Sequence, residues 1–487
     1  MFNKKVIKKS VIVLVALLLC ALVVFTACNP STAFKPVEYT NGQQVDGNGG
    51  IAVRYGEYIY YVNGYQNSAT SKNNYSSEVR IGAVARIKIA DLEDIIRINT
   101  RDSDKISTEI AEAVAEKAQL VVPNFYYNGN TTDTSLNGLF IFNDRIYITT
   151  PNDQLDANGN LLSSQLVLTS YNLGGGDVQR HFVFESNAPQ LKLSKIGNDL
   201  YATYVLSTTL ATFKVTDKMA TATEIATEIS SPKFTSEVDE NGDVVADYVY
   251  YLDKDGNICQ YKVGEDEANV IVELEVDEEH KGHSDAASYT ISSVNGARLY
   301  YTYSKDTSLH MATAENPDTV VLYTVPSAYY GWGDGIVYTR NEQIDGETTL
   351  YHVIYVSSAD GNTQKELIDP AQNGTSITLN KLVGNKLYYT TNSISYVLDL
   401  SAASTTADGS YVKATSYAYS LSTSATGWAI PDVLSFDWNN GGSSVKISYV
   451  FTVSSSGVTV VKFNPTRENN IIEGTKDKSS STTITLK

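Results

Sequence analysis

From Ile51 to Phe463 the chain alternates apolar and polar residues in short stretches, each cut off by glycine, asparagine or aspartate. A period of two is the pattern of a half-buried antiparallel strand. Ile51–Arg54, Gly138–Phe142, Leu191–Lys195, Tyr289–Val294, Ala328–Trp332 and Ile377–Val383 read as opening strands. Leu166–Leu173, Leu210–Val215, Ile258–Val263, Leu350–Val356 and Ile394–Leu400 read as third strands. Between the two stands a strand marked by a tyrosine after an apolar residue: Tyr60, Tyr147, Tyr201, Tyr250, Tyr300, Tyr338 and Tyr388. Four residues before each comes a small or turn-forming residue, namely Gly56, Asn143, Gly197, Ala246, Gly296, Asp334 and Gly384. After a first gap of 87 residues the anchors lie 54, 49, 50, 38 and 50 apart. A period in this range signals a repeat architecture. Asn63-Gly64, Asn158-Gly159, Asn241-Gly242, Asp255-Gly256 and Asp360-Gly361 punctuate the pattern. Such pairs accept positive φ and predict type I′ hairpin turns.

A last unit without the tyrosine frame follows: Val433–Trp438, a turn at Asn439–Gly442, Val445–Val453 and Val458–Phe463. The count is eight sheets, or seven if this unit completes the first. Small antiparallel sheets repeating without linkers predict an all-β fold, a β-propeller of about eight blades over residues 51–465. Ser401–Ser410 is the one polar stretch that resembles a linker, and it fits an inter-strand loop equally well. The long first gap predicts a helical insertion in the first repeat, with Ile106, Ile110, Ala113 and Val114 on one face and an N-cap from Asp102, Ser103 or Asp104. This helix is expected to pack over the ring or to serve as a partner-binding lid. Residues 466–487 form a polar tail, with a closing strand at Thr483–Leu486.

Ahead of the repeats, Lys4, Lys5, Lys8 and Lys9 precede the apolar run Val11–Phe25 and the small residues Thr26-Ala27. That is the layout of a secretory signal over residues 1–27. Phe25-Thr26-Ala27-Cys28 resembles the lipobox of bacterial lipoproteins, with Phe25 where that family prefers leucine. The resemblance implies a diacylglycerol on the Cys28 thiol, removal of residues 1–27 and acylation of the new N-terminus. Two or more acyl chains make an anchor stable, since each buried CH₂ contributes only about 0.8 kcal/mol. An uncleaved signal anchor and free secretion are the alternatives. Residues 28–50, rich in Asn, Gly, Pro and Gln, read as a flexible tether. No other apolar run is long enough to span a bilayer, so the body is expected outside the cytoplasmic membrane and attached to it through lipid.

The aromatic frame resembles the YWTD and TolB-like propellers, in which a turn residue leads into a Leu-Tyr-x-Thr strand. Leu299-Tyr300-Tyr301-Thr302 and Leu387-Tyr388-Tyr389-Thr390 carry the likeness, and Ile59–Val62 and Val249–Leu252 are looser copies. Tyr303 and Thr391 stand where YWTD has its aspartate. The motif is structural and brings no catalytic residues with it.

Charge and cysteine content narrow the function. The formal net charge is −18, and loss of the four signal lysines takes it to about −22. Such a surface repels phosphate backbones and excludes nucleic acid as a partner. Of three cysteines only Cys259 remains in the body, so no intramolecular disulfide is expected. The 34 tyrosines against 13 phenylalanines suit strands whose rings are packed while their hydroxyls find a partner.

Candidate chemistry is thin. His280 and His283 stand in the acidic stretch 277–285, a donor set for a divalent cation, but Lys281 intrudes and a solvated loop is the simpler reading. His181, His310 and His352 stand singly in strands. Asp239-Glu240-Asn241-Gly242-Asp243 and Asp253-Lys254-Asp255-Gly256-Asn257 alternate oxygens as calcium loops do, but glycine falls at the fourth position, where a hairpin needs it. Gly174-Gly175-Gly176 has no phosphate-binding helix behind it, and Cys259 has no adjacent histidine. No nucleophile elbow, sialidase Asp box or quinone-docking tryptophan motif is present. No cofactor or metal is expected. The sequence therefore predicts a non-enzymatic binding or scaffolding module for a protein, peptide or cell-envelope glycan, with exposed tyrosines or Trp332 as contact groups. A surface glycan hydrolase or lyase, and a purely structural surface protein, are the alternatives.

Overall fold

The computed structural model describes residues 35–64, 81–99, 105–123, 138–160, 162, 164–186, 188–239, 243–274, 286–343, 345–367, 376–392, 394–402, 414–416, 432–439, 442, 444–454, 456–468, 471–475 and 481–486. Their strands form eight antiparallel sheets in which neighbours in the chain are neighbours in space. The sheets are blade 1 (45–122), blade 2 (140–184), blade 3 (190–226), blade 4 (230–272), blade 5 (289–322), blade 6 (329–366), blade 7 (377–416) and blade 8 (432–483). The four main strands of each are called A to D in chain order. The A strands pack on one another: Ser230–Val238 meets Tyr289–Asn295, which meets Tyr329–Trp332, and Ala52–Tyr55 lies between Phe140–Phe142 and Asp432–Asn439. Buried apolar clusters join blades 8, 1 and 2, then 2–3, 3–4, 4–5, 5–6 and 6–7. Blades 7 and 8 meet through Ala414–Ser416 and Ile471–Thr475. The ring is an eight-bladed β-propeller.

Because every sheet is a meander, the two ends of the ring differ. One carries the A–B and C–D turns; the other carries the B–C connections and the crossovers between blades. In blades 1, 2, 3, 5, 6 and 7 the A–B hairpin has two loop residues, the first in positive φ: Gly56, Asn143, Gly197, Gly296, Gly333 and Gly384. Five of these are the turn positions of the tyrosine frame. The other two positions differ. Ala246 is buried inside the long strand Val244–Leu252. Asp334 is the second residue of its turn, which leaves Tyr338 one residue out of frame, facing blade 5 instead of blade 7. The type I′ expectation also needs correction. At Gly159, Gly256 and Gly361 the glycine takes positive φ while the residue before it does not; adjacent positive φ values occur at Asn143-Asp144. Asn63-Gly64 opens a longer connection, and Asn241-Gly242 lies outside the described residues.

The frame tyrosines lock one blade to the next. The Tyr250 hydroxyl donates to the Gly296 carbonyl, 3.2 Å away in the turn of blade 5. The Tyr300 hydroxyl donates to Gly335 of blade 6, and the Tyr60 hydroxyl to Leu173 of blade 2 at 3.1 Å. Replacing Tyr300 by Phe keeps the ring and removes the donor to a buried carbonyl. The expected loss is about 1–3 kcal/mol, read as a lower urea midpoint; an unchanged midpoint would leave the hydroxyl no role.

Two helices separate strands C and D of blade 1, α1 (Ile89–Ile98) and α2 (Ile106–Lys117). The sequence reading missed α1, although Ile89, Leu92, Ile95 and Ile96 are its buried stripe. Glu93 of α1 accepts from the Tyr449 hydroxyl and pairs with Lys462, both of blade 8, so the insertion wedges blades 8 and 1 together. Asp102, Ser103 and Asp104 lie outside the described residues; Lys105 holds the α2 N-cap position and gives no side-chain cap.

The segment 28–50 is not a tether throughout. Cys28 lies outside the described residues, but 35–50 is bound to the ring. Val37 N–H donates to Gly174 (3.0 Å), Gly42 N–H to Asp144 (2.9 Å) and Gly56 N–H to Gln44 (2.9 Å), all at turns of one end. Arg86, buried and lying over the Tyr58 ring, donates to the Glu38 carbonyl. Val45–Asp46 then pairs with Ala52–Tyr55 on the channel side. A Cβ on Gly138 would stand 1.8 Å from the Gly49 carbonyl, so only glycine lets this segment close on blade 2.

The tail is also part of the ring. Residue 465 falls inside strand Gly457–Glu468, which pairs with both Ile471–Thr475 and Ser481–Thr483. Beyond it, Ile484 and Leu486 are buried. The Asn63 amide exchanges two hydrogen bonds with Leu486 (2.8 and 3.1 Å), and the Tyr61 hydroxyl donates to Ile484 (3.0 Å). The closing strand expected at Thr483–Leu486 instead spans Ser481–Thr483, and residues 484–486 beyond it join blade 8 to blade 1 without strand pairing.

Candidate functional surface

Most long connections leave from the B–C and crossover end: Val62 to Val84, Val122 to Phe140, Pro151 to Leu166, Val272 to Tyr289 and Ser416 to Asp432. The helical insertion of blade 1 and the stretch from Asp399 to Ala414 are the long connections at the opposite end. Loops on a rigid scaffold are where binding residues collect. His280 and His283 fall in the crossover from blade 4 to blade 5 and lie outside the described residues.

The three strand histidines are engaged. His181 is buried, its Nδ1 2.6 Å from the Thr216 carbonyl and its Nε2 2.7 Å from the Ser170 hydroxyl; burial lowers its pKa and favours the neutral ring. His310 stacks on Tyr301 and sits between Asp318 (2.7 Å) and Asp306 (3.0 Å). His352 accepts at Nδ1 from the Ile377 N–H (3.1 Å). Asp253 accepts from the N–H groups of Asp255 and Asn257 (each 2.9 Å), a side-chain-closed hairpin turn. Asp239 closes the blade 4 turn in the same way on Asp243. Asn172 gathers the N–H groups of Gly174 and Gly176. Among the described residues no group of three or more His, Cys, Asp or Glu is placed to hold a metal ion. Trp332 donates to Asn385 (3.0 Å) across blades 6 and 7, which ties it to the fold.

Cys259 is buried beside Asp253, and desolvation first, then that carboxylate, pushes its thiol up to about 12. Burial likewise raises Tyr61, Tyr250 and Tyr300 far above the usual phenol. Because these folded values exceed the unfolded ones, the folded state holds more protons in the alkaline range. The stability they supply is complete below about pH 9 and is lost as pH rises through the folded values. The melting temperature is therefore expected to fall steadily from about pH 9 to pH 12. Phenolate absorbance should lag and then rise with unfolding; smooth ionisation without unfolding would contradict it.

One polar cluster escaped the sequence reading. On blade 6, Tyr338, Arg340 and Glu342 share a strand face with Tyr355 and Glu366. The Tyr355 hydroxyl stands 3.0 Å from Glu342 and 3.2 Å from Glu366. Arg340 lies over the Tyr355 ring at 4.1 Å and donates to Glu342. Burial chiefly, then these carboxylates, raises the Tyr355 phenol. Alternate residues Tyr338, Arg340 and Glu342 were the available signal, a polar run on a strand face. The cluster lies on strands B to D, outward from the channel-lining strand Tyr329–Trp332. Within it one hydroxyl is held by two carboxylates, with a guanidinium over its ring.

No family model and no curated protein matches this chain. Among solved structures it is similar to the polysaccharide lyase Uly1, at 10% identity and a TM-score of 0.35, over 71% of this chain and 92% of the lyase. It is also similar to a post-proline cleaving enzyme from Rickettsia typhi (10% identity, TM-score 0.35, 84% of this chain and 57% of that one). Prolyl oligopeptidase B from Galerina marginata gives 11% identity and a TM-score of 0.32, over 84% and 55%. The chain spans little more than half of either peptidase. The propeller rests on strand order and pairing, not on these likenesses.

Proposed function

We propose that the chain is a lipid-anchored, extracytoplasmic β-propeller of the YWTD/TolB-like kind, a binding or scaffolding module for a protein, a peptide or a cell-envelope glycan. Cys28 carries the lipid, and the long connections of the B–C and crossover end make the contact surface. The observation that carries this reading is the division of labour between the two ends: residues 35–44 lie across the turn end, while most long connections leave from the other. Two measurements test it. Cys28→Ser should abolish fatty-acid labelling and release the protein from membranes. The soluble body Ala33–Lys487 should retain a specific envelope protein or array glycan and lose it when one end is altered. A blank in both screens would move the reading to a structural surface protein. A second reading, glycan hydrolase or lyase, rests on the Glu342 and Glu366 carboxylates about one hydroxyl. It requires sugar release by the wild type that Glu342→Gln removes.

A further inference from the structure

We propose that the turn end of blades 2 to 4 rests on the bilayer surface, so that the end from which most of the long connections leave is turned away from the membrane. The inference depends on the lipid anchor of the proposed function and adds an orientation to it. Two independent observations converge. The first is the path of the chain: the Val37 N–H donates to the Gly174 carbonyl (3.0 Å) and Pro36 lies beside Gly176 in the C–D turn of blade 2, so the segment leading back to Cys28 departs from the turn end. Six residues lie between Cys28 and Lys35, and the seven Cα–Cα steps reach about 25 Å at most when extended. The end from which the chain departs is therefore held close to the headgroups.

The second is the distribution of exposed large apolar side chains. Six of the ten among the described residues stand at this same end: Tyr39, Val178, Met219, Val238, Val244 and Val245. They belong to the N-terminal segment, the C–D turns of blades 2 and 3, and the A–B hairpin of blade 4. That hairpin projects. The turn of blade 5 lies beside Thr235 and Glu237, its Gly296 N–H donating to Thr235 (2.9 Å), and Val238, Val244 and Val245 continue beyond it. Two further residue pairs carry the tip roughly 7 Å past the neighbouring turn. Sharing one end of the ring, these side chains are all within reach of a single surface laid across it. An anchor already bound to the membrane makes even a weak second contact effective, because the local concentration is high.

Charge selects the kind of surface. Lys214 pairs with Asp199 (2.6 Å) and Arg145 with Asp177, and exposed Lys195, Lys218 and Lys262 stand at this end against Asp217, Asp239, Asp243, Glu265, Asp266 and Glu267, so that carboxylates remain in excess. A face with excess carboxylate disfavours anionic lipid, so shallow apposition of Met219 and the valines to a neutral headgroup layer, with Asp239 and Asp243 kept among the polar headgroups, is the contact that fits.

The test uses the full, lipidated chain in phosphatidylcholine vesicles. Cys28 is blocked by acylation and Cys259 is buried, so a thiol introduced by Val245→Cys or, at the opposite end, by Leu350→Cys is the one open to a fluorophore. The expected result is quenching of the Val245→Cys label by brominated phosphatidylcholine, with loss of its quenching by aqueous iodide. The Leu350→Cys label should behave in the opposite way. Equal access of iodide to both labels overturns the orientation. Protection of the Val245→Cys label in native envelopes but not in pure lipid also overturns it, and assigns this end to a protein. Mass spectrometry of the same sample separates the two levels. An unacylated Cys28 defeats the anchor and the orientation with it, whereas acylated Cys28 with an iodide-accessible label defeats the orientation alone.

Discussion

Removing residues 476–487 is expected to cost the ring on the order of 5 kcal/mol, enough to leave it largely unfolded at 37 °C. The magnitude follows from what these residues cover. Ile484 is fully buried and Leu486 nearly so, and a large apolar residue cut from a core costs about 2–5 kcal/mol. The Asn63 amide, itself buried, also loses both partners on Leu486. Urea unfolding followed by circular dichroism reads the effect, and Ile484→Ala alone should give about half of it. A truncated protein with the wild-type midpoint would show that the eight blades close without the tail.

The second large effect is expected between blades 3 and 4. Lys192 reaches Ser236 (2.9 Å) and Asp247 (3.4 Å), and the Asp247 side chain is 3% exposed. Replacing Lys192 by Met leaves a buried carboxylate with hydroxyl support from Ser236 but without its cation, at a cost of about 3–5 kcal/mol. Changing Asp247 to Leu as well should recover much of the loss, because two apolar groups replace a desolvated pair. A double variant no better than Lys192→Met would mean that Asp247 is solvated when its partner is gone.

How much was legible in the chain depends on the range of the interaction. Period-two alternation and the recurring Tyr are local, so the eight sheets and five turn positions could be read directly. Tyr338 and Ala246 mark where that reading slips. A turn shifted by one residue moves a side chain to the other strand face, and a lengthened hairpin moves the frame away from its turn. Helix α1 was hidden because its stripe begins in the residue after a strand ends, where strand and helix periods overlap. The binding of 35–50 was not legible at all. Its partners Gly174, Asp144 and Leu139 lie more than 80 residues away, and they recognise backbone more than side chain. The blade 6 cluster was half legible: its first three residues alternate, while Tyr355 and Glu366 join only through register. Cys28 and the histidines of the acidic crossover rest on sequence alone.

The pairing of Asn63 with Leu486 also bears on the order of events as the protein is made. The partners are 423 positions apart, among the most distant that this chain offers. A polypeptide emerges from its N-terminus, so blades 1 to 7 can form in turn, each on the one before. Blade 1, however, must wait with the Asn63 amide and the flank of its sheet uncovered until Leu486 has emerged. Early blades would spend that interval as an open arc with two raw edges, the state in which a β protein is most exposed to pairing with a neighbour. The meeting of these two distant segments is therefore expected to be the slow, late step of folding, and any chaperone serving this chain would have to guard the first blade longest.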